Sequence, residues 1–260
     1  MNKSSRREKI LQLLENSQTA LVSQLSEETG ASMVTIRHDL EELEREGKLI
    51  RSHGGAILRE RPAADRISLA PLLPVPQIPD RELKEAVAQG AIPFLNDDDT
   101  IFIGGGTTFY LFARLLKTFP NLKIVTTNLS AACELSPYNC NIYFIGGELV
   151  EMNGIVYTGG PKLPLELDKV FVNKAFIGVS GLDLNAGLTI YDLSQLSLYT
   201  CARRIAQQVF LLCDYTKFGY QSAHKIGPAE EIVDTIVTNR QVDPRYPREM
   251  GRRNIRFITV

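Results

Sequence analysis

The sequence predicts two domains of unlike class. A small three-helix unit closed by a β-hairpin precedes a larger α/β domain, doubly wound around a mainly parallel sheet. Three observations carry this reading. Apolar residues at helical spacing mark three short segments before residue 45. Five of the thirteen prolines crowd between residues 62 and 79. From residue 80 onward, helical stretches alternate with short apolar strands. At 260 residues and 44% hydrophobic, the chain has enough apolar material for both cores.

Ile10, Leu13 and Leu14 mark the first helix, and Val22 and Leu25 the second. Gly30 supplies the turn to a third, whose apolar stripe is Met33, Ile36, Leu40 and Leu43 at spacings of three, four and three. Ser32 stands where an N-cap hydroxyl accepts from the first turn's free amides. Thr35, Arg37 and His38 then face away from the core, near the helix end that helix-turn-helix proteins insert into the major groove. Residues 49–51 and 56–58 read as two strands around Gly54-Gly55, a hairpin turn, with Arg51 and His53 on this wing. Three helices with a hairpin also occur as ordinary packing units. The order of helices, glycine turn and basic wing favours a winged helix-turn-helix spanning residues 1–58, with Ser32, Thr35, Arg37, His38, Arg51 and His53 as its candidate DNA contacts.

Charge is balanced here: nine Lys and Arg stand against ten Asp and Glu through Glu60. The basic residues are segregated, with Lys3, Arg6, Arg7 and Lys9 in the first helix and Arg37, Arg51 and Arg59 around the docking face. Weak net attraction implies salt-sensitive binding and more than one binding unit, hence a homo-oligomer.

Residues 59–79 contain Pro62, Pro71, Pro74, Pro76 and Pro79, which exclude a regular helix or central strand. They read either as a semi-extended linker or as an ordered arm packed by Leu69, Leu72, Leu73, Val75 and Ile78.

The α/β domain occupies residues 80–260. Helices are expected at 83–95, from Gly106 through Leu116, at 129–135 and at 196–209. Strands are expected at 100–103, 122–125, 141–145, 175–177, 210–213, 235–237 and 255–259. Doubly wound sheets bind ligands beyond the C-terminal ends of their strands, which selects the loops there. Gly104-Gly105-Gly106-Thr107-Thr108 joins a strand to a helix, where backbone amides and two hydroxyls suit an anion. Thr127-Asn128, Gly146-Gly147, Gly181-Leu182-Asp183 and the loop from Asp214 to Gly219 follow other strands. Together they suggest a crevice for a small phosphorylated sugar or polyol, with Lys217 as countercharge and Asp183 or Asp214 for hydroxyls. Taken singly, the glycine turn is also a tight strand–helix connection, and Lys217 a solvated surface lysine.

Cys133, Cys140, Cys201 and Cys213 show no C-x-x-C spacing, so reduced thiols are expected. His38, His53 and His224 do not pair with acids at metal-site spacing, and neither metal nor cofactor is expected. The polar, basic start and the lack of a long apolar run predict a cytoplasmic protein with no membrane partner.

Ser32-Met33-Val34-Thr35-Ile36-Arg37-His38-Asp39-Leu40 and His53-Gly54-Gly55-Ala56 resemble the signature of the DeoR family of bacterial transcriptional regulators. His38 stands where that family usually has a second Arg. The resemblance continues through Lys84 to Ala88, the Gly-Thr-Thr turn at Gly106, Thr127-Asn128, Gly146-Gly147, Phe176-Ile177-Gly178 and Asp214 to Gly219. It implies a C-terminal sensor similar to ribose-5-phosphate isomerase and CoA-transferase folds. It further implies a sugar-phosphate effector that changes affinity for double-stranded operator DNA, a dimer or tetramer, and repression of a sugar or polyol operon. The chain departs from the family at Gly104-Gly105 (usually Asp-Ser), Asn173 (usually Asp) and Tyr199-Thr200 (usually basic). Two other function classes fit part of the pattern. A sugar-phosphate isomerase needs a positioned base, and Asn173 removes one candidate. An oligomerisation module would keep only a vestigial pocket. Binding of a sugar phosphate without turnover separates the sensor from both.

Overall fold

A computed structural model describes residues 2–17, 19–46, 48–52, 54–58, 69–119, 121–138 and 141–260. His53, Cys140 and most of the proposed linker, residues 59–68, lie outside them. The chain divides into two compact units, Met1–Arg66 and Ile67–Val260.

The first unit runs α1 (Lys3–Ser17), β1 (Thr19–Leu21), α2 (Val22–Thr29), α3 (Met33–Arg45), β2 (Leu49–Ser52) and β3 (Gly55–Leu58). Ile10, Leu14, Val22, Leu25, Ile36, Leu40, Leu43, Leu49 and Ala56 form its core. Gly30 caps α2 in the left-handed region at φ +67°, which glycine adopts without strain. The expected stripe of α3 needs one correction. Met33 is 50% exposed, because it opens the helix before the chain turns under the core. The buried position that periodicity missed is Asp39. The short strand β1 was also unforeseen. It pairs with β3 to give the order β1-β3-β2, and a Cβ on Gly55 would lie 2.3 Å from Ala20 O. Gly55 therefore lets β1 seat on the wing, while the hairpin turn places Gly54 at φ +87°.

The second unit is the predicted doubly wound α/β fold. Its elements before the central crossover are α4 (Arg81–Ala91), β4 (Thr100–Ile103), α5 (Thr107–Leu115), β5 (Lys123–Thr126), α6 (Leu129–Leu135), β6 (Ile142–Phe144), β7 (Glu148–Met152), β8 (Ile155–Gly159) and α7 (Leu163–Leu167). There follow β9 (Val172–Ile177), β10 (Gly181–Asp183), β11 (Gly187–Ile190), α8 (Leu196–Ile205), β12 (Ala206–Leu212), β13 (His224–Gly227), α9 (Ala229–Ile232), β14 (Thr235–Thr238), α10 (Arg245–Arg252) and β15 (Arg256–Thr259). Seven strands pair in parallel in the order β15-β14-β12-β9-β4-β5-β6. Side chains alternate between two cores: Phe102, Ala175 and Ile177 enter one, and Ile101, Ile103 and Phe176 the other. Phe176 stacks on Phe210 at a ring separation of 5.0 Å and meets Phe112 at 4.9 Å in a tilted pair.

Two helix limits shift. The helix expected to run to residue 209 ends at Ile205, because β12 pairs with β9 from Ala206 onward. The helix at 83–95 closes at Ala91 and passes into a 3-10 turn at Ile92–Phe94, which contains Pro93. The antiparallel pairs β7–β8 and β10–β11–β13 were not anticipated. The β7–β8 turn is Asn153-Gly154, both at positive φ, a pairing that favours two-residue hairpins.

Of the proline-rich stretch, residues 69–79 are ordered against this unit. Of the five apolar residues expected to pack it, Leu73 and Ile78 are half-buried, while Leu69, Leu72 and Val75 are exposed, the last two at 79% and 86%. The backbone adds a contact, with the Gln77 amide donating to Asn153 O at 2.8 Å.

Candidate functional site

The first candidate site is the exposed face of α3. Ser32 caps the helix, its Oγ accepting from the Thr35 amide at 3.2 Å and lying 2.9 Å from Thr35 Oγ1. Arg37 and His38 are exposed, and His38 Nδ1 is 3.6 Å from Glu42 Oε1. Arg51 is held by the helix itself: Nη1 donates to Glu41 Oε1 at 2.9 Å, and its amide to Glu44 Oε1 at 2.9 Å. The wing is thus tied to α3.

The basic residues of α1 are not a free phosphate-binding face. Arg6 grips buried Asp39 with Nε and Nη2 at 2.5 and 3.2 Å. Lys3 donates to Glu42 at 2.8 Å, and Arg7 bridges Glu42 and Glu46. Arg7 and Lys48 hold the Glu46 carboxyl down at about 2, and Lys3 lowers that of Glu42. These acids consume cations that the sequence offers to DNA. Among the described residues, Arg37 and Arg45 are the α3 cations with no carboxylate within 4.0 Å. Among the described residues, Arg37 is therefore the cation near the N-terminal end of the helix that no carboxylate holds. Val34, 73% exposed, lies beside it. An apolar residue on a docking face escapes a search for donors, although it suits a thymine methyl.

The second candidate site is a cavity of about 520 Å³ in the α/β unit. It opens beyond the C-terminal ends of β4, β9 and β12. The strand order reverses at the neighbours β4 and β9, so this is the topological switch point of the sheet. Gly105, Gly106, Thr107, Thr108 and Lys217 all line it. Gly106 precedes α5 at φ +99°, a conformation open to glycine, and the first turn of the helix that follows lines the opening.

The other expected residues stand apart from the cavity wall. Asn128 caps α6 through Oδ1 and donates from Nδ2 to Gly106 O at 3.2 Å, bracing the glycine turn from behind. Thr127 is buried, and its carbonyl accepts from the Thr158 amide. Gly147 sits where a Cβ would be 2.6 Å from Gly159 O, so that glycine serves hairpin packing; Gly146 does not line the cavity either. Asp183 accepts from the Asn185 and Ala186 amides and shapes the β10–β11 turn. Asn173 accepts from the Thr100 amide at the N-terminal ends of β9 and β4. Its identity therefore has no bearing on chemistry at the opposite end of the sheet.

Three lining residues, Lys84, Tyr157 and Tyr199, were not among the expected effector contacts, whereas Asp214, expected for hydroxyls, does line the cavity. Lys84 is buried on α4, its Nζ 4.0 Å from Asp214 Oδ2 and donating to Pro79 O. Burial lowers its ammonium's pKa, against the opposing pull of Asp214. Asp214 is itself buried. Its Oδ1 accepts from the Thr216 amide, while Oδ2 has no hydrogen-bond partner among the described residues and faces Lys217 Nζ at 3.8 Å. Tyr157 donates to Asp192 Oδ2 at 2.8 Å, and burial with this bond raises its phenol. A Cβ on Gly105 would lie 3.2 Å from the Tyr157 ring. The ring thus packs directly on the glycine turn. Tyr199 donates to Gly178 O at 2.6 Å. The cavity therefore combines a glycine-rich turn at a helix start, two lysines, a buried carboxylate oxygen without a hydrogen-bond donor among the described residues, and aromatic walls.

A family model for the DeoR C-terminal sensor domain matches residues 80–240, and one for a DeoR-like helix-turn-helix domain matches residues 6–61. The chain belongs to the DeoR family. This DeoR-family protein is a DNA-binding transcriptional regulator. It is similar to the lactose phosphotransferase system repressor of Lactococcus lactis subsp. lactis, 31% identical with 97% of each chain covered. It is also similar to the glycerol-3-phosphate regulon repressor of Escherichia coli strain K12, 28% identical with 92% of each covered. Among solved structures, it is similar to ribose 5-phosphate isomerase A from Methanocaldococcus jannaschii, with a TM-score of 0.39, 18% identity, and 54% of this chain and 55% of that one covered. That likeness is too slight to bear on function. No helix among the described residues is long and apolar enough to cross a membrane. Cys133, Cys201 and Cys213 are buried free thiols.

Proposed function

We propose that this DeoR-family regulator represses a sugar or polyol operon in the cytoplasm, and that a phosphorylated sugar or polyol in the cavity relieves repression. The observation that carries the effector reading is the meeting of the Gly106 turn with Lys84, Lys217 and the unpartnered Asp214 Oδ2 in one cavity at the switch point. Backbone amides at a helix start and two ammonium groups favour a phosphate. A buried carboxylate oxygen without a donor favours a sugar hydroxyl. The names of the two repressors described above support the regulatory sign and the class of controlled genes.

On the DNA side, Arg37 makes a bidentate contact to guanine or phosphate, Thr35 and His38 add polar contacts, and Arg51 follows the backbone from the wing. Arg37→Ala is expected to weaken operator binding by about 1–3 kcal/mol without unfolding the protein. Gel-shift titration checks this, and unchanged affinity removes Arg37 from the interface. In the same assay, one member of a sugar-phosphate panel should lower operator affinity and be recovered unconverted; conversion of the compound would support an isomerase instead. One winged unit with balanced charge gives limited affinity, so the regulator acts as a dimer or tetramer on paired half-sites. A full-length chain that sediments only as a monomer at operator-binding concentrations would count against this.

A further inference from the structure

One wall of the cavity belongs to the segment that leads into the α/β unit. Pro79 and Asp80 line it, as do Met152 and Asn153 at the turn of the β7–β8 hairpin. The two pieces are joined backbone to backbone. The Gln77 amide donates to Asn153 O, and a Cβ on Gly154 would lie 2.6 Å from Val75 O and 2.9 Å from Pro76 Cα. This seat exists because residue 154 has no side chain. Leu72 and Val75 face solvent, and Leu73 and Ile78 are only half-buried, so no fully buried apolar side chain of residues 69–79 supports it. A segment held in this way opens at low free-energy cost.

The same segment is tied to the polar end of the cavity. Lys84 Nζ donates to Pro79 O, while the carboxylate beside it stays at 4.0 Å. A charged oxygen attracts an ammonium more strongly than a peptide carbonyl does. An anion in the cavity therefore competes with Pro79 for Lys84.

The geometry points to residues 75–79 acting as a strap that reads cavity occupancy: a bound anion draws Lys84 Nζ from Pro79 O and releases the strap from the Asn153-Gly154 turn. This rests on the sensor reading above. The strap lies near the start of the second unit, before α4 and after the connection from the winged unit, so its release lengthens the tether while the sheet and the winged fold stay intact. An effector that favours the released state shifts the regulator toward it.

Hydrogen–deuterium exchange on the full-length protein tests the strap, with inorganic phosphate and ribose 5-phosphate as probes and binding followed by calorimetry. Saturating probe should speed exchange at Gln77 by about tenfold or more. Gly154→Ala should already exchange fast across residues 75–79 without probe, gain less than about twofold on adding it, and keep probe affinity within about threefold. Gln77→Pro removes the same hydrogen bond from the strap side, should the hairpin not tolerate alanine; since it lacks the reporting amide, it is read through operator affinity, which adding probe should change by less than about twofold. Binding with exchange unchanged or slowed overturns the strap alone. Failure of both probes to bind overturns the sensor reading and the strap with it.

Discussion

Gly106→Val should abolish the effector response while leaving operator binding intact. A Cβ at this position meets nothing within 4 Å, so the effect is not a clash with the surrounding protein. It lies in the backbone. Gly106 is at φ +99° and ψ 170°, a region nearly closed to residues with a side chain, at a cost of about 1–3 kcal/mol. Valine has two outcomes. Either the turn rotates toward an ordinary conformation and carries the Thr107 and Thr108 amides off the cavity, or the strain is tolerated and the branched side chain occupies the anion's approach. Both remove hydrogen bonds to a charged group, worth about 1.5–3 kcal/mol each, so that losing even one lowers affinity about 10- to 150-fold. Calorimetry with the sugar phosphate that relieves operator binding measures the loss. A variant that still responds at the original concentration places the anion site elsewhere.

Much of this site was legible in the sequence because strand–turn–helix order and glycine clustering are local. The Gly104 to Thr108 turn and the loop holding Asp214 and Lys217 both lie on the cavity wall. Local order does not reveal how far a loop stands from the switch point. Thr127-Asn128 and Gly146-Gly147 follow β5 and β6, on the far side of β4 from β9, so their polar and glycine content serves capping and packing. Lys84 left a readable trace. It shares the stripe of Val87, Ala88 and Ala91 on α4, and a lysine on a buried stripe requires a partner. The Asn153-Gly154 hairpin was equally open to reading. Tyr157 and Asp192 were not, because their pairing spans 35 residues and depends on the hairpin folding over the glycine turn.

The same distinction governs the DNA-binding unit. Periodicity located α3 but could not show that Asp39 would be buried, since its partner Arg6 lies 33 residues earlier. Arg6→Ala is accordingly expected to be among the most damaging single changes in this unit. Asp39 is 2% exposed, and among the described residues Arg6 supplies both side-chain hydrogen bonds to its carboxylate. Removing the guanidinium strands a charge in the interior between α1 and α3. The expected loss is about 2–4 kcal/mol, because the Arg6 side chain retains some solvent contact and the site can admit water. Urea unfolding of the full-length protein should show the first unit melting early and the α/β unit unchanged. The double variant Arg6→Met/Asp39→Leu discriminates stability from positioning. Matched apolar residues should restore most of the stability, since the pair's desolvation cost offsets much of its attraction. Operator affinity in the double variant then reports whether the fork also fixes the angle at which α3 presents Arg37. Restored stability with weakened DNA binding assigns the pair that positioning role, whereas recovery of both leaves it with none beyond holding α1 against α3. A single variant as stable as the wild type would show that Asp39 finds solvent or another donor when Arg6 is gone.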